Sequence, residues 1–201
     1  MRSDESAGKT ADAYIAAGTH ILEVATLRGI EVGVNAAMDY LAEERKNARR
    51  SRRDRRLRNT RLLLKNYRLF KKHVEGAPAS AATRKPKESA IDILDSLDSD
   101  MLDDSFYVEG IKKSQQRTAI VLAHIDETLR YYKISCEESG KPEDIRRYET
   151  LRLLFIVPER HTYQQVAEVM NVDVSTVYKD VNHAIKPLSA LIFGIDSARL
   201  D

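Results

Sequence analysis

Between Arg45 and Lys72 the chain carries fourteen lysines and arginines against a single acid, Asp54, and no Gly or Pro interrupts residues Asn35 to Glu75. Nothing in such a stretch stops a helix, so it reads as one mostly helical segment of about 40 residues. From Glu43 to Arg56 its only apolar residue is Ala48. That part has no face to bury and must lie in solvent or against a charged partner. Further along, Leu63, Tyr67, Phe70 and Val74 recur at helical spacing, which predicts a core-facing stripe. The expectation is a helix anchored at its C-terminal end and basic along its free part.

The segment 45–72 is +13, and because the whole chain is only +2 the remainder is −11. Glu88 to Glu109 holds eight acids and no base. This asymmetry points to a polyanion as partner of the basic part. Arg49, Arg50, Arg52, Arg53, Arg55, Arg56 and Arg58 are the candidate phosphate contacts. The alternative is a solvated charged helix that pairs with the chain's own acids. The acidic stretch in turn reads either as a DNA mimic on the basic arm or as the outer face of a core helix.

A length of 201 residues suits one or two domains. With 6% aromatics and no Trp, an all-α chain is expected: a long basic helix, a helical core and a C-terminal helix-turn-helix. No apolar run reaches the 18 or so residues of a membrane span, and the polar start MRSDESAGKT lacks the apolar core of a secretory signal. The lone Cys136 excludes an internal disulfide, so a cytoplasmic setting is expected, with no membrane partner.

Five blocks follow from punctuation and period. Residues 1–35 hold one short helix whose limits are blurred by Gly18, Gly29 and Gly33. Residues 36–75 are the long helix, and 76–89 form an Ala, Ser and Pro-rich flexible linker. In 90–139, Ile91, Leu94, Leu97 and Met101 keep helical spacing beneath the acids, and a second helix from about Ile111 aligns Thr118, Leu122, Ile125, Leu129 and Tyr132. Block 140–201 opens with Pro142-Glu143-Asp144, a good first helical turn. Ile145, Tyr148, Leu151, Leu154 and Phe155 form the apolar face of that helix, which stops at Pro158.

The tail carries the chemistry. Thr162 and Gln165 make a T-x-x-Q capping box, so a helix starts at Tyr163. Val166, Ala167 and Met170 form its inner face, with the small Ala167 where two helices cross. Asn171 stands where a left-handed turn residue is needed, Val172 plugs the turn, and Asp173 N-caps a second helix. Val174, Val177, Val181 and Ile185 line the inner side of that helix, and Ala167 precedes Val177 by ten residues, the separation of a helix-turn-helix. A similar string near Ala25, Gly29 and Ile30 fails because Asn35 stands where the valine is required. Outward lie Ser175, Thr176, Tyr178, Lys179, Asn182, His183 and Lys186, with Thr162 and Gln164 on the preceding helix. Asn182 suits adenine, Lys179 guanine or a phosphate, Tyr178 a thymine methyl or a phosphate, and Lys186 a phosphate. Double-stranded DNA is the expected partner. The alternative is an ordinary antiparallel helix pair with a solvated outer face.

Enzyme signatures are missing: the sequence has no P-loop, G-x-G-x-x-G or G-x-S-x-G. The five scattered histidines and one cysteine do not make a zinc site. Asp92, Asp95, Asp98, Asp100, Asp103 and Asp104 lack the Gly and closing Glu of a calcium loop. No cofactor, metal or catalytic residue is expected.

The string DRRLRNTRLLLKNYRLFKKH (Asp54 to His73) together with TYQQVAEVMNVDVSTVYKDVNHAIKPLSALIFGIDS (Thr162 to Ser197) resembles the ArpU family of phage late transcriptional regulators, and RinA-type activators are similar. The tail is also similar to region four of sigma factors, whose pattern stands here as Ala167, Asn171, Val172, Asp173, Thr176 and Val177. It departs by Asn for Gly, Asp for Ser, and His183 near a common Arg. The resemblance implies a non-enzymatic regulator that switches on late phage or prophage genes through host RNA polymerase. A small-terminase-like packaging ring and a sigma-like factor dependent on core polymerase are the competing expectations. A homo-oligomer is compatible with the first two, and mass in solution separates a ring from a monomer or dimer.

Overall fold

The computed structural model describes residues 3–75, 88–98 and 103–194, with the backbone alone for 3–17 and Ile21. Every regular element among the described residues is helical, so the chain is all-α with a long N-terminal helix. Two units divide it, Met1–Arg50 and Ser51–Asp201.

The described part of the first unit is helix α1, Ser3–Lys65, up to Arg50. It runs through Gly18, Gly29 and Gly33 without a break, whereas the sequence suggested a short helix and a new start near Asn35. Glycine penalises a helix by about 1 kcal/mol but does not stop one. The glycines that follow helix ends here, Gly140 and Gly194, have positive φ. All described side chains from Gly18 to Arg50 are exposed. A Cβ added at Gly29 or Gly33 would meet no atom within 4 Å. Gly29→Ala with Gly33→Ala is therefore expected to stabilise the helix by roughly 1 kcal/mol per site, read as a higher melting midpoint in circular dichroism. A lower midpoint would mean that another surface approaches the backbone there.

The second unit begins with the rest of α1. At Asn66 the helix pauses before α2, Tyr67–Glu75, rather than running on to Gly76. The Asn66 side-chain amide donates to the Leu62 carbonyl at 2.9 Å, beside the backbone bond from the Asn66 N–H to the same oxygen at 3.0 Å. Leu63, Leu64, Tyr67 and Phe70 are buried. The acidic stretch is two short helices, α3 (Ala90–Ser96) and α4 (Asp104–Lys112). Ile93 and Leu94 of α3 enter the core, while Ile91, expected there, is 45% exposed. Met101, Asp100 and linker residues 76–87 lie outside the described residues.

Helix α5, Gln115–Glu138, packs on α2, α3, α4, α6 and α8. Its start is set by Ser114, whose hydroxyl accepts from the Arg117 amide, and not at Ile111, which lies in the last turn of α4. The expected stripe Thr118, Leu122, Ile125, Leu129, Tyr132 is buried, joined by Val121, Thr128 and Cys136. Burial also pushes the Cys136 thiol up. Gly140 at φ +65 lets the chain turn into α6, Pro142–Leu151. This helix ends in a π-helical turn, Arg152–Ile156, with Val157 extended before Pro158. Leu151 and Leu154 are buried, but Ile145 is exposed. Arg68 of α2 caps the turn, donating to the carbonyls of Val157 at 2.6 Å and Glu159 at 3.0 Å. The last two helices are α7, Tyr163–Met170, and α8, Val174–Phe193.

Candidate nucleic-acid interface

Local chemistry shapes α7, its turn and the start of α8. The Gln165 amide donates to the Thr162 hydroxyl at 3.2 Å, and the Thr162 amide donates to the Gln165 side chain at 2.8 Å, which closes the capping box. At the far end Asn171 adopts φ 51, ψ 49. The Val172 amide donates to the Ala167 carbonyl at 3.0 Å and the Asn171 amide to that of Glu168 at 3.2 Å. These are the two hydrogen bonds of a Schellman turn. Ala167, 3% exposed, fills the crossing with α8.

Asp173 caps α8 by accepting from the Ser175 amide at 2.7 Å, and bonds from Ser175 hold its carboxyl below the usual range. Hydrogen bonds at the starts of α3 and α4 do the same: from Ser89 for Asp92, and from Phe106 and Ser105 for Asp103. A carboxyl depressed by folding stabilises above its unfolded value, near 3.9, and loses that contribution as pH falls through the lower folded value. Helix content is thus expected to decline in acid below about pH 4, followed by circular dichroism. Asp173→Asn, which caps without titrating, should reduce this decline.

The inner face of α8 is Val177, Val181 and Ile185 as expected, with Val174 half-buried, and it continues through Ala184, Leu188, Ile192 and Phe193. One inner residue escaped sequence reasoning. Asp180, 2% exposed, accepts from Arg146 of α6 at 2.7 and 3.2 Å, and Arg147 lies 3.8 Å away. The hydrogen bond to Asp180 raises the Arg146 pKa in turn. An acid three residues after Val177 was the visible signal, but its partner is 34 residues away in sequence.

On the opposite face, Ser175, Tyr178, Lys179, Asn182, His183 and Lys186 are exposed and Thr176 is half-buried. Thr162 and Gln164 are exposed at the start of α7, and Gln164 donates to Glu168 at 3.3 Å. Two contacts on this face were not foreseen. The Tyr178 ring stacks on Tyr163, centroids 4.3 Å apart and 14° from parallel. Arg61 of α1 donates to the Asn182 side-chain oxygen at 2.9 Å. This adds a cation to the outer face of α8, and it occupies the atom of Asn182 that would accept from adenine.

The basic run is not one surface. Arg49 and Arg50 in the first unit are exposed, as are Arg52 and Arg53 in the second. Arg55 and Arg56 are not open phosphate contacts. Arg55 pairs with Asp98 at 3.3 Å, and Asn59 donates to the same oxygen. Arg56, 6% exposed, lies 3.7 Å from Asp95 and over the Phe193 ring at 5.5 Å. Arg58 is exposed and stands 3.6 Å from Asp104. The correction has a simple cause. The helix enters the apolar core at this point, and arginines carried in with it must meet acids or lose their solvation uncompensated. Asp95 of α3, Asp98 just after it and Asp104 of α4 supply that charge.

Among the described residues no His, Cys, Asp and Glu group could hold a metal, and no helix is long and apolar enough to cross a membrane. No protein-family model matches the sequence, and no curated protein or solved structure matches it either.

Proposed function

We propose that the chain is a sequence-specific double-stranded DNA-binding transcriptional regulator. On this reading α8 enters the major groove, and the resemblance to phage late regulators adds activation of late phage or prophage genes with host RNA polymerase. The observation that carries the DNA-binding half is the two-sidedness of α8. Val177 and Val181 are buried on one side, while Tyr178, Lys179, Asn182, His183 and Lys186 stand exposed on the other.

A groove about 12 Å wide admits one helix and presents donors and acceptors that differ for every base pair. Lys179 then donates to guanine or to a phosphate. Asn182 pairs with adenine once Arg61 has moved from its oxygen to the phosphate backbone. Lys186, Ser175, Thr176, Thr162 and Gln164 fix register through the backbone, and His183 and Tyr178 complete the face. Arg49, Arg50, Arg52 and Arg53 add sequence-independent attraction.

The test is selection of duplexes from random DNA, followed by Lys179→Ala with Asn182→Ala. Discrimination between selected and scrambled duplexes should fall by roughly 1–3 kcal/mol for each bidentate pair removed, with weak binding retained. Unchanged discrimination places the reading surface elsewhere, and no binding to any duplex ends the proposal.

A further inference from the structure

Within the first unit, Val24, Leu27, Ile30, Val34, Met38 and Leu41 follow one another at spacings of three and four along α1. They share one side of the helix, with Arg28, Asp39, Glu43 and Lys46 on the other, where Leu22, Val32 and Tyr40 are exposed as well. Each of the six is exposed, from 37% for Val24 to 66% for Leu27. Soluble helices draw most of their stability from packing such a face, and among the described residues nothing packs on this one, while Gly29 and Gly33 weaken the same span.

Charge selects the occupant. Glu23 and Arg45 sit on the same stripe, one helical turn beyond Leu27 and Leu41 respectively. From Glu23 to Glu44 the helix holds five acids and one base, and basic residues take over from Arg45. A second copy laid antiparallel, with its two-fold axis at Val34, sets Leu27 against Leu41 and Ile30 against Met38. It also sets Glu23 against Arg45 at both ends, and Glu31 against Ala37. A parallel copy would instead oppose Glu23, Glu31 and Arg45 each to itself, and like charges at a helix seam repel. The geometry points to an antiparallel homodimer built on the apolar stripe of α1, an isologous interface in which each copy presents the same surface. This inference does not depend on DNA binding.

Light scattering on the full chain is expected to give twice the 22.8 kDa chain mass, and Leu27→Asp with Leu41→Asp should give a monomer. Both positions are exposed, so the denaturation midpoint of the second unit should be unaffected. Orientation is read by charge exchange. Glu23→Arg alone or Arg45→Glu alone should raise the dimer dissociation constant roughly three- to tenfold, and the two together should restore it. A short bis-maleimide should join Leu27→Cys to Leu41→Cys chains in a mixture and leave each variant alone uncoupled. A monomeric wild type, a larger ring, a dimer that survives Leu27→Asp with Leu41→Asp, or cross-linking of each cysteine variant to itself would each overturn the inference.

Discussion

Arg146→Ala is expected to lower the stability of the second unit by about 3 kcal/mol, measured by chemical denaturation. The substitution leaves the Asp180 carboxylate, 2% exposed, with only Arg147 at 3.8 Å. An unpaired buried charge costs more than the pair contributed, so the loss exceeds that of a surface bridge, which is usually below 1 kcal/mol. Asp180→Ala with Arg146→Ala should destabilise less than Arg146→Ala alone, because no charge is then stranded. If Arg146→Ala stays within about 0.5 kcal/mol of the wild type, water reaches the carboxylate and the pair does not fix α8 to α6. On the DNA-binding proposal, the same variant should also weaken discrimination between duplexes without touching any residue of the outer face, since Asp180 sets the position of the helix that carries it.

The second large effect concerns the exposed arginines. Replacing Arg49, Arg50, Arg52 and Arg53 with alanine should flatten the slope of log binding constant against log salt by up to about 0.9 for each phosphate left without its arginine, or roughly 3 to 4 in all. Over a fourfold change in salt that amounts to about two orders of magnitude in affinity. An unaltered slope would mean that these side chains never reach phosphates. Arg55→Ala should behave differently, weakening the fold through Asp98, whose side chain is 6% exposed, and changing the slope little. The two responses separate a cation that faces solvent from one already neutralised inside the chain.

The parts of the site that were legible are those with local causes. A capping box reaches across three residues, a left-handed turn needs one, and an N-cap acts within two. Thr162, Gln165, Asn171 and Asp173 could therefore be read from their neighbours alone, as could the buried spacing of Val177, Val181 and Ile185. Helix limits were harder. Gly18, Gly29 and Gly33 only weaken α1, and composition does not announce the pause at Asn66, whose side chain bonds the Leu62 carbonyl.

Charge was the least legible property, because a residue count treats every arginine alike. Arg49, Arg52, Arg56 and Arg61 look interchangeable in the sequence. In the folded chain the first two are exposed, the third lies against Asp95 and Phe193, and the fourth holds Asn182. Asp180, which sequence reasoning did not single out, is a buried anchor. Periodicity, caps and turn residues act over a few bonds, and so the all-helical architecture and the two faces of α8 were already written in the order of the residues. The pairing of each charge depends on which distant helix arrives beside it and how much water that arrival removes, and only the packing of α1, α3, α6 and α8 decided that.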